Sequence, residues 1–146
     1  MEPIRVKRLK AKAIMPTYGS TEAAGADLYA CLAEPITIQP GESVFVPTGL
    51  AMELPRGYAG LIYARSGLAI KHGIGLLNSV GVIDSDYRGE ICVGVIKQTE
   101  PEYTIEPFER IAQMVIKPVE LPEIVEVQEL DDTDRGAGGF GSTGTK

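Results

Sequence analysis

The sequence predicts an all-β domain with one short helix. Three observations lead there. Apolar residues recur at every second position in several short stretches, the period of a strand with one buried face. Glycine (17) and proline (10) punctuate those stretches along the whole chain, so the elements between turns are short. Helical periodicity is confined to a single piece. Many short strands between frequent turns build a sandwich or a barrel. A chain of 146 residues makes one such domain with a core of its own.

The elements follow in order. "MEPIRVKRLK" at the N-terminus is positively charged but has no apolar stretch behind it, so it is not a secretory signal. Ile36 and Ile38, then Val44 and Val46, alternate with other residues and predict two strands. "SGLAIKH", Ser66 to His72, predicts the helix, closed by Gly73 as a C-terminal stop. "GLLNSVGVIDSDYRGEI", 75–91, predicts a hairpin or looped strand pair through Gly81, Asp84 to Tyr87 and Gly89. "EICVGVIKQ" puts Ile91, Val93 and Val95 on one face. "EIVEVQEL" does the same with Val125 and Val127, against Glu126 and Gln128. The acidic "ELDDTD", 129–134, predicts a solvated linker before a glycine-rich tail.

Bulk properties exclude several functions. Apolar residues at 44% and charged residues at 23% are ordinary for a soluble globular protein. No apolar run is long enough to span a membrane. Cys31 and Cys92 fit reduced thiols in the cytoplasm, and with His72 as the only histidine a structural zinc site is excluded. A net charge of −6 argues against holding a nucleic-acid backbone. An anionic ligand would need a metal ion or local arginines to offset the repulsion.

Four stretches are too polar or too glycine-rich for plain strands. In "AAGADLYA", 23–30, Asp27 is either a turn acid bonded to its own backbone or a functional carboxylate. In "YARSGLA", 63–69, Arg65, Ser66 and Gly67 lie where a strand meets the helix. A hydroxyl, a guanidinium and backbone N–H groups there suit a phosphate, and an ordinary N-cap serine fits equally. In the 75–91 stretch, Asp84 follows the apolar pair Val82 and Ile83, with Asp86 close by. A carboxylate held against apolar surroundings is a candidate general base, and Asn78 offers both a donor and an acceptor. In "ERIAQMVI", 109–116, Gln113 interrupts an apolar strand and must be satisfied by backbone or by a ligand. Ser66, His72 and Asp84 have the residue types of a nucleophilic triad, but no G-x-S-x-G elbow surrounds Ser66.

The tail, "DRGAGGFGSTGTK", holds one cation, Arg135, and one aromatic ring, Phe140, among glycines. "GAGGFG" matches G-x-G-x-x-G, and "GFGSTGTK" imitates a phosphate loop. Both patterns need a following helix, and the few residues beyond Gly141 cannot form one. Composition alone fits a frayed end.

Taken together, "AAGADLYA", "ARSGLA", "NSVGVIDSDYRGEI", "RIAQMVI" and "RGAGGFGSTG", in this order and spacing, resemble the five motifs of the trimeric deoxyuridine triphosphatase (dUTPase) family. The resemblance runs from residue 23 to residue 144. It implies a β-clip, a jelly-roll-like barrel over 1–133, assembled as a homotrimer whose sites are shared between subunits. It implies cleavage of dUTP to dUMP and pyrophosphate with Mg2+, limiting uracil incorporation into DNA and supplying dUMP for dTMP synthesis. By position, Asp84 resembles the carboxylate that activates the attacking water. Arg65, Ser66, Gly67 and Gln113 resemble phosphate contacts, and Asp27 the acid that steers magnesium through water. Asn78, Gly81, Val82 and Ile83 resemble the uracil-reading segment, and Tyr87 the ring against the deoxyribose. Residues 134–146 resemble a flexible lid, with Arg135 on the terminal phosphate, Phe140 over uracil and Gly141 beside it. Arg110 is given a structural or phosphate-orienting role. Ala64 departs from the proline of many members, and the chain ends in "STGTK". Two alternatives stand beside this reading: a deoxycytidine triphosphate deaminase of related fold, and a trimeric barrel used only for nucleotide sensing or protein interaction.

Overall fold

The computed structural model describes all residues, Met1–Lys146. The strands are β1 (Arg5–Arg8), β2 (Thr17–Tyr18), β3 (Ala26–Tyr29), β4 (Ile36–Ile38), β5 (Ser43–Pro47), β6 (Leu50–Glu53) and β7 (Tyr58–Tyr63). The helix α1 (Ser66–His72) follows. The chain continues through β8 (Ile74–Leu76), β9 (Gly81–Ile83), β10 (Cys92–Lys97), β11 (Tyr103–Ile105) and β12 (Arg110–Pro118). They form a five-stranded sheet, β2-β3-β12-β7-β9, a three-stranded sheet, β5-β10-β8, and the pairs β1-β6 and β4-β11. The all-β class and the single helix match expectation. The strands form four separate sheets and do not close into one continuous ladder.

The core lies between these sheets. Leu28, Ile62 and Met114 face inward from the large sheet, Val46, Val93 and Leu76 from the smaller one, and Ile38 with Ile105 from a pair. In β10 the alternation is strict: Val93, Val95 and Lys97 are buried, while Cys92, Gly94 and Ile96 are half-buried. Lys97 is therefore a lysine at a core position. Its ammonium is satisfied by the Thr99 carbonyl and, at 3.3 Å, by the Thr99 hydroxyl.

The helix has the bounds that the sequence predicts. Gly73 caps it at φ 64°, its N–H donating to the Ala69 carbonyl. Only glycine fits there for a second reason: a Cβ would lie 2.2 Å from the Thr99 hydroxyl oxygen. Lys71 and His72 occupy the last turn, where positive charge suits the helix dipole.

One expectation fails, and another is met in one of its two forms. The stretch 123–130 forms no strand and is solvent-exposed, with Ile124 at 96% and Leu130 at 86%. Alternation supplies a face to bury, but a strand also needs a hydrogen-bonding neighbour, and this chain offers 123–130 none. Of the two forms expected for 75–91, a hairpin or a looped strand pair, the looped pair is found: β8 and β10 are antiparallel neighbours joined through 77–91. β8 pairs with β10 and β9 pairs with β7, so the segment between them crosses from one sheet to the other. Ser79, at φ 64°, makes that crossing tight.

Gly73→Ala combines a left-handed backbone with a steric clash. It should lower stability by about 1–3 kcal/mol in urea unfolding. Gly67→Ala, where an added Cβ meets nothing, should be neutral or slightly stabilising.

Candidate active site

The large sheet aligns one polar row. Gln113 of β12 stands opposite Asp27 of β3 on one side and Tyr63 of β7 on the other. Directly opposed residues share a face, so the three side chains project together. A register shift between Arg110 and Ala112 leaves Ile111 as an extra residue. That bulge matters. Arg110 and Gln113 are an odd number of positions apart and would otherwise face opposite ways; the shift puts Arg110 opposite Tyr29, on the face of Asp27.

Asp27 is buried, and each carboxylate oxygen faces a guanidinium. Arg65 Nε lies 3.1 Å from Oδ1, and Arg110 Nη1 lies 3.6 Å from Oδ2. Arg65 also donates from Nη1 to the Arg110 carbonyl at 3.3 Å. Gln113 Nε2 donates to the Ala64 carbonyl at 3.0 Å. The glycine of "AAGADLYA" makes this possible, because a Cβ on Gly25 would lie 2.6 Å from Gln113 Oε1. Gln113 therefore has a backbone partner through Nε2.

The serine-cap alternative fails. Arg65, extended at φ −85° and ψ 135°, is the N-cap, and no side chain caps the helix. Ser66 is the first helical residue. Ser66 and Gly67 are both exposed, beside the Asp27–Arg65–Gln113 cluster.

Asn78, Gly81, Val82 and Ile83 come together along a cavity of about 540 Å³, where the chain crosses between sheets. This volume suits a small ligand. β9 is a sheet edge, so one side of its backbone has no strand partner. Phe45 and Cys92 line the same cavity, and the sequence reading did not single them out. The available signal is weak: Phe45 stands opposite Gly94, an aromatic ring over a glycine. Burial, followed by the nearby Glu90 charge, pushes the Cys92 thiol above its usual range and keeps it protonated near neutral pH.

Asp84 is not buried beside Val82 and Ile83. It is exposed, Ile83 is half-buried, and Val82 is 61% exposed. The cause is the edge position of β9, which β7 covers on one side only. Tyr87 is part of the same loop. Its N–H donates to the Asp84 carbonyl at 3.2 Å and its hydroxyl to the Glu90 carbonyl at 3.0 Å. In the tail, Arg135 Nε donates to the Gly138 carbonyl at 2.7 Å. Phe140 is fully exposed and Gly141 adopts φ 85°. This chain alone does not bring Arg135, Phe140 or Gly141 onto the cluster. No three His, Cys, Asp or Glu side chains converge as a metal cage.

The dUTPase family model matches residues 11–144, which include all five quoted stretches. The chain belongs to the dUTPase family. A relative from Nautilia profundicola, deoxyuridine 5'-triphosphate nucleotidohydrolase, is 53% identical over 97% of this chain and 98% of its own. The protein of the same name from Syntrophotalea carbinolica is 49% identical over 97% and 96%. Among solved structures, the Staphylococcus bacteriophage 80alpha dUTPase with dUPNHPP superposes with a TM-score of 0.86 at 31% identity, covering 99% of this chain and 100% of that one. A variant dUTPase from phage phi11 of S. aureus, described with a structural Mg(II) ion, gives a TM-score of 0.78 at 26% identity, covering 90% and 100%. Membership of this family displaces the deaminase alternative.

Gly25→Ala should push Gln113 off the Ala64 carbonyl and cost about 1–3 kcal/mol in chemical denaturation. The same change in a Gln113→Ala background should cost clearly less, because the crowded group is gone.

Proposed function

We propose that this chain hydrolyses dUTP to dUMP and pyrophosphate, removing a uracil nucleotide before it reaches DNA and supplying dUMP for dTMP synthesis. One observation carries the reading: relatives named deoxyuridine 5'-triphosphate nucleotidohydrolase match it at about half identity over nearly its whole length. The site geometry supports it.

Uracil enters the cavity beside β9. Its N3–H donor between two carbonyls is read by the unpaired backbone edge at Gly81, Val82 and Ile83 and by the Asn78 amide. Cytosine reverses that polarity and would leave buried groups unpaired. Tyr87 packs on the deoxyribose. Arg65, Ser66, Gly67 and Gln113 hold the phosphates at the start of α1 and stabilise the leaving pyrophosphate. Asp84 takes a proton from the water that attacks the α-phosphorus, a role worth about 10²–10⁴ in rate.

The donor set fits magnesium in one way only. Asp27 is a single carboxylate already facing two arginines, and no cage surrounds it. That suits an ion carried by substrate phosphates and water, with Asp27 touching its outer shell. Bound there, the ion offsets triphosphate charge.

A homotrimer completes the site. Asp84 is exposed, and Val82, Phe45 and Tyr87 present apolar surface at 61%, 73% and 44% exposure. Cover from neighbouring subunits would exclude water from this surface. Residues 134–146 form the lid: Arg135 reaches the terminal phosphate, Phe140 stacks on uracil, and Gly141 permits the turn. No helix is long and apolar enough to cross a membrane. Free Cys31 and Cys92 fit a reducing cytoplasm.

Pyrophosphate release from dUTP, dCTP, dTTP and UTP, with and without Mg2+, tests the reading. dUTP should be preferred over dCTP by about 10⁴-fold in kcat/KM, and only with metal. Equal turnover of dCTP, or ammonia released from it, would overturn it. Deleting residues 135–146 should leave folding and assembly intact and lower kcat/KM by about 10²-fold or more, as measured by the same assay. Full activity in the truncated protein would remove the lid.

A further inference from the structure

Glu53, the last residue of β6, belongs to none of the five motif stretches, yet it is tied to the loop that carries Asp84 and Tyr87. The link is Arg88. Its Nη1 donates to the Ser85 carbonyl at 2.7 Å and to the Tyr87 carbonyl at 3.2 Å. Its Nη2 meets Glu53 Oε1 at 3.3 Å. The other Glu53 oxygen accepts from Arg5 Nη1 at 2.6 Å, where β1 and β6 place the two residues directly opposite.

We propose that Arg88 and Glu53 are positioning residues, clamping the Ser85–Tyr87 backbone to β6 so that Asp84 and Tyr87 keep a productive geometry. The proposal rests on the role given to Asp84. Asp84 is exposed, so packing does not fix it; the backbone of its loop does. Bonds within that loop, from Tyr87 to Asp84 and to Glu90, shape it without attaching it to the body. Its two ends are fixed to the body, Ile83 by pairing with Gly60 and Ile91 by its N–H to the Leu50 carbonyl at 2.8 Å. Glu90 Oε2 also accepts from the Gly49 N–H at 2.8 Å, and between these ends Arg88 ties the Ser85 and Tyr87 carbonyls to Glu53. A planar guanidinium reaches two carbonyls and a carboxylate together, which a lysine ammonium on its flexible stem does not. Exposed ion pairs add little to stability, and these side chains are 40% exposed or more. The work of Glu53 is therefore to orient Arg88, with little effect on the fold.

The test uses the full chain with Glu53→Gln and, separately, Arg88→Lys. Amide hydrogen exchange at Ser85–Tyr87 should quicken in both. For dUTP, kcat should fall about 10-fold with KM within about 2-fold, since misplacing a reacting group costs rate more than binding. Thermal melting should stay close to wild type. Unchanged exchange would overturn the clamp. Faster exchange with unchanged kcat would overturn the positioning role. Wild-type protein that releases no pyrophosphate from dUTP would instead remove the functional reading, and the exchange data would still decide the clamp.

Discussion

The candidate site depends on the central strand, β12. It is hydrogen-bonded to β3 on one side and β7 on the other, so its register decides what stands beside what. One residue of slip would turn Gln113 to the opposite face and separate it from Asp27. The register is held by apolar side chains at Ala112 and Met114 that reach the core. It is held also by Gln113 filling the space that Gly25 leaves empty. The bulge at Ile111 then adds Arg110 to the same face. A carboxylate, two guanidiniums and an amide, drawn from segments far apart in sequence, thereby form one cluster.

The other half of the site obeys a different constraint. β9 is an edge, and the chain reaches it by leaving the three-stranded sheet. An uncovered edge is usually a liability, because its backbone groups invite another chain. Here the open edge borders a cavity, and the exposed Asp84 follows it. A polar cluster on the inner strands and an open edge beside a cavity make a divided site, to which the proposed function gives phosphate binding and base reading.

Local signals in the sequence were the easiest to read. α1 is bounded by Arg65 and Gly73 because a left-handed stop is written into a single residue. The faces of β10 follow from Ile91, Val93 and Val95 because burial needs only alternation. The features that escaped depend on distant partners. Alternation in 123–130 predicts a strand, and no partner in this chain accepts it. The apolar pair beside Asp84 suggests burial, but an edge strand leaves it open. Ser66 has the chemistry of a cap, yet the backbone gives that position to Arg65. Neither the bulge at Ile111 nor the burial of Lys97 has a local signature, since both arise from how strands meet. The motif resemblance drew together Asp27, Arg65 and Gln113, which the fold also brings into contact. It did not reveal Cys92 or Phe45 at the cavity.

The central claim is that a carboxylate at the end of an edge strand primes water beside a bound triphosphate. Steady-state turnover of dUTP by Asp84→Asn, beside the wild type, tests it most directly. The amide keeps the size of the group and removes its basicity. The account predicts kcat lower by about 10²–10⁴ with nucleotide binding retained. A variant that turns over dUTP at the wild-type rate would contradict it.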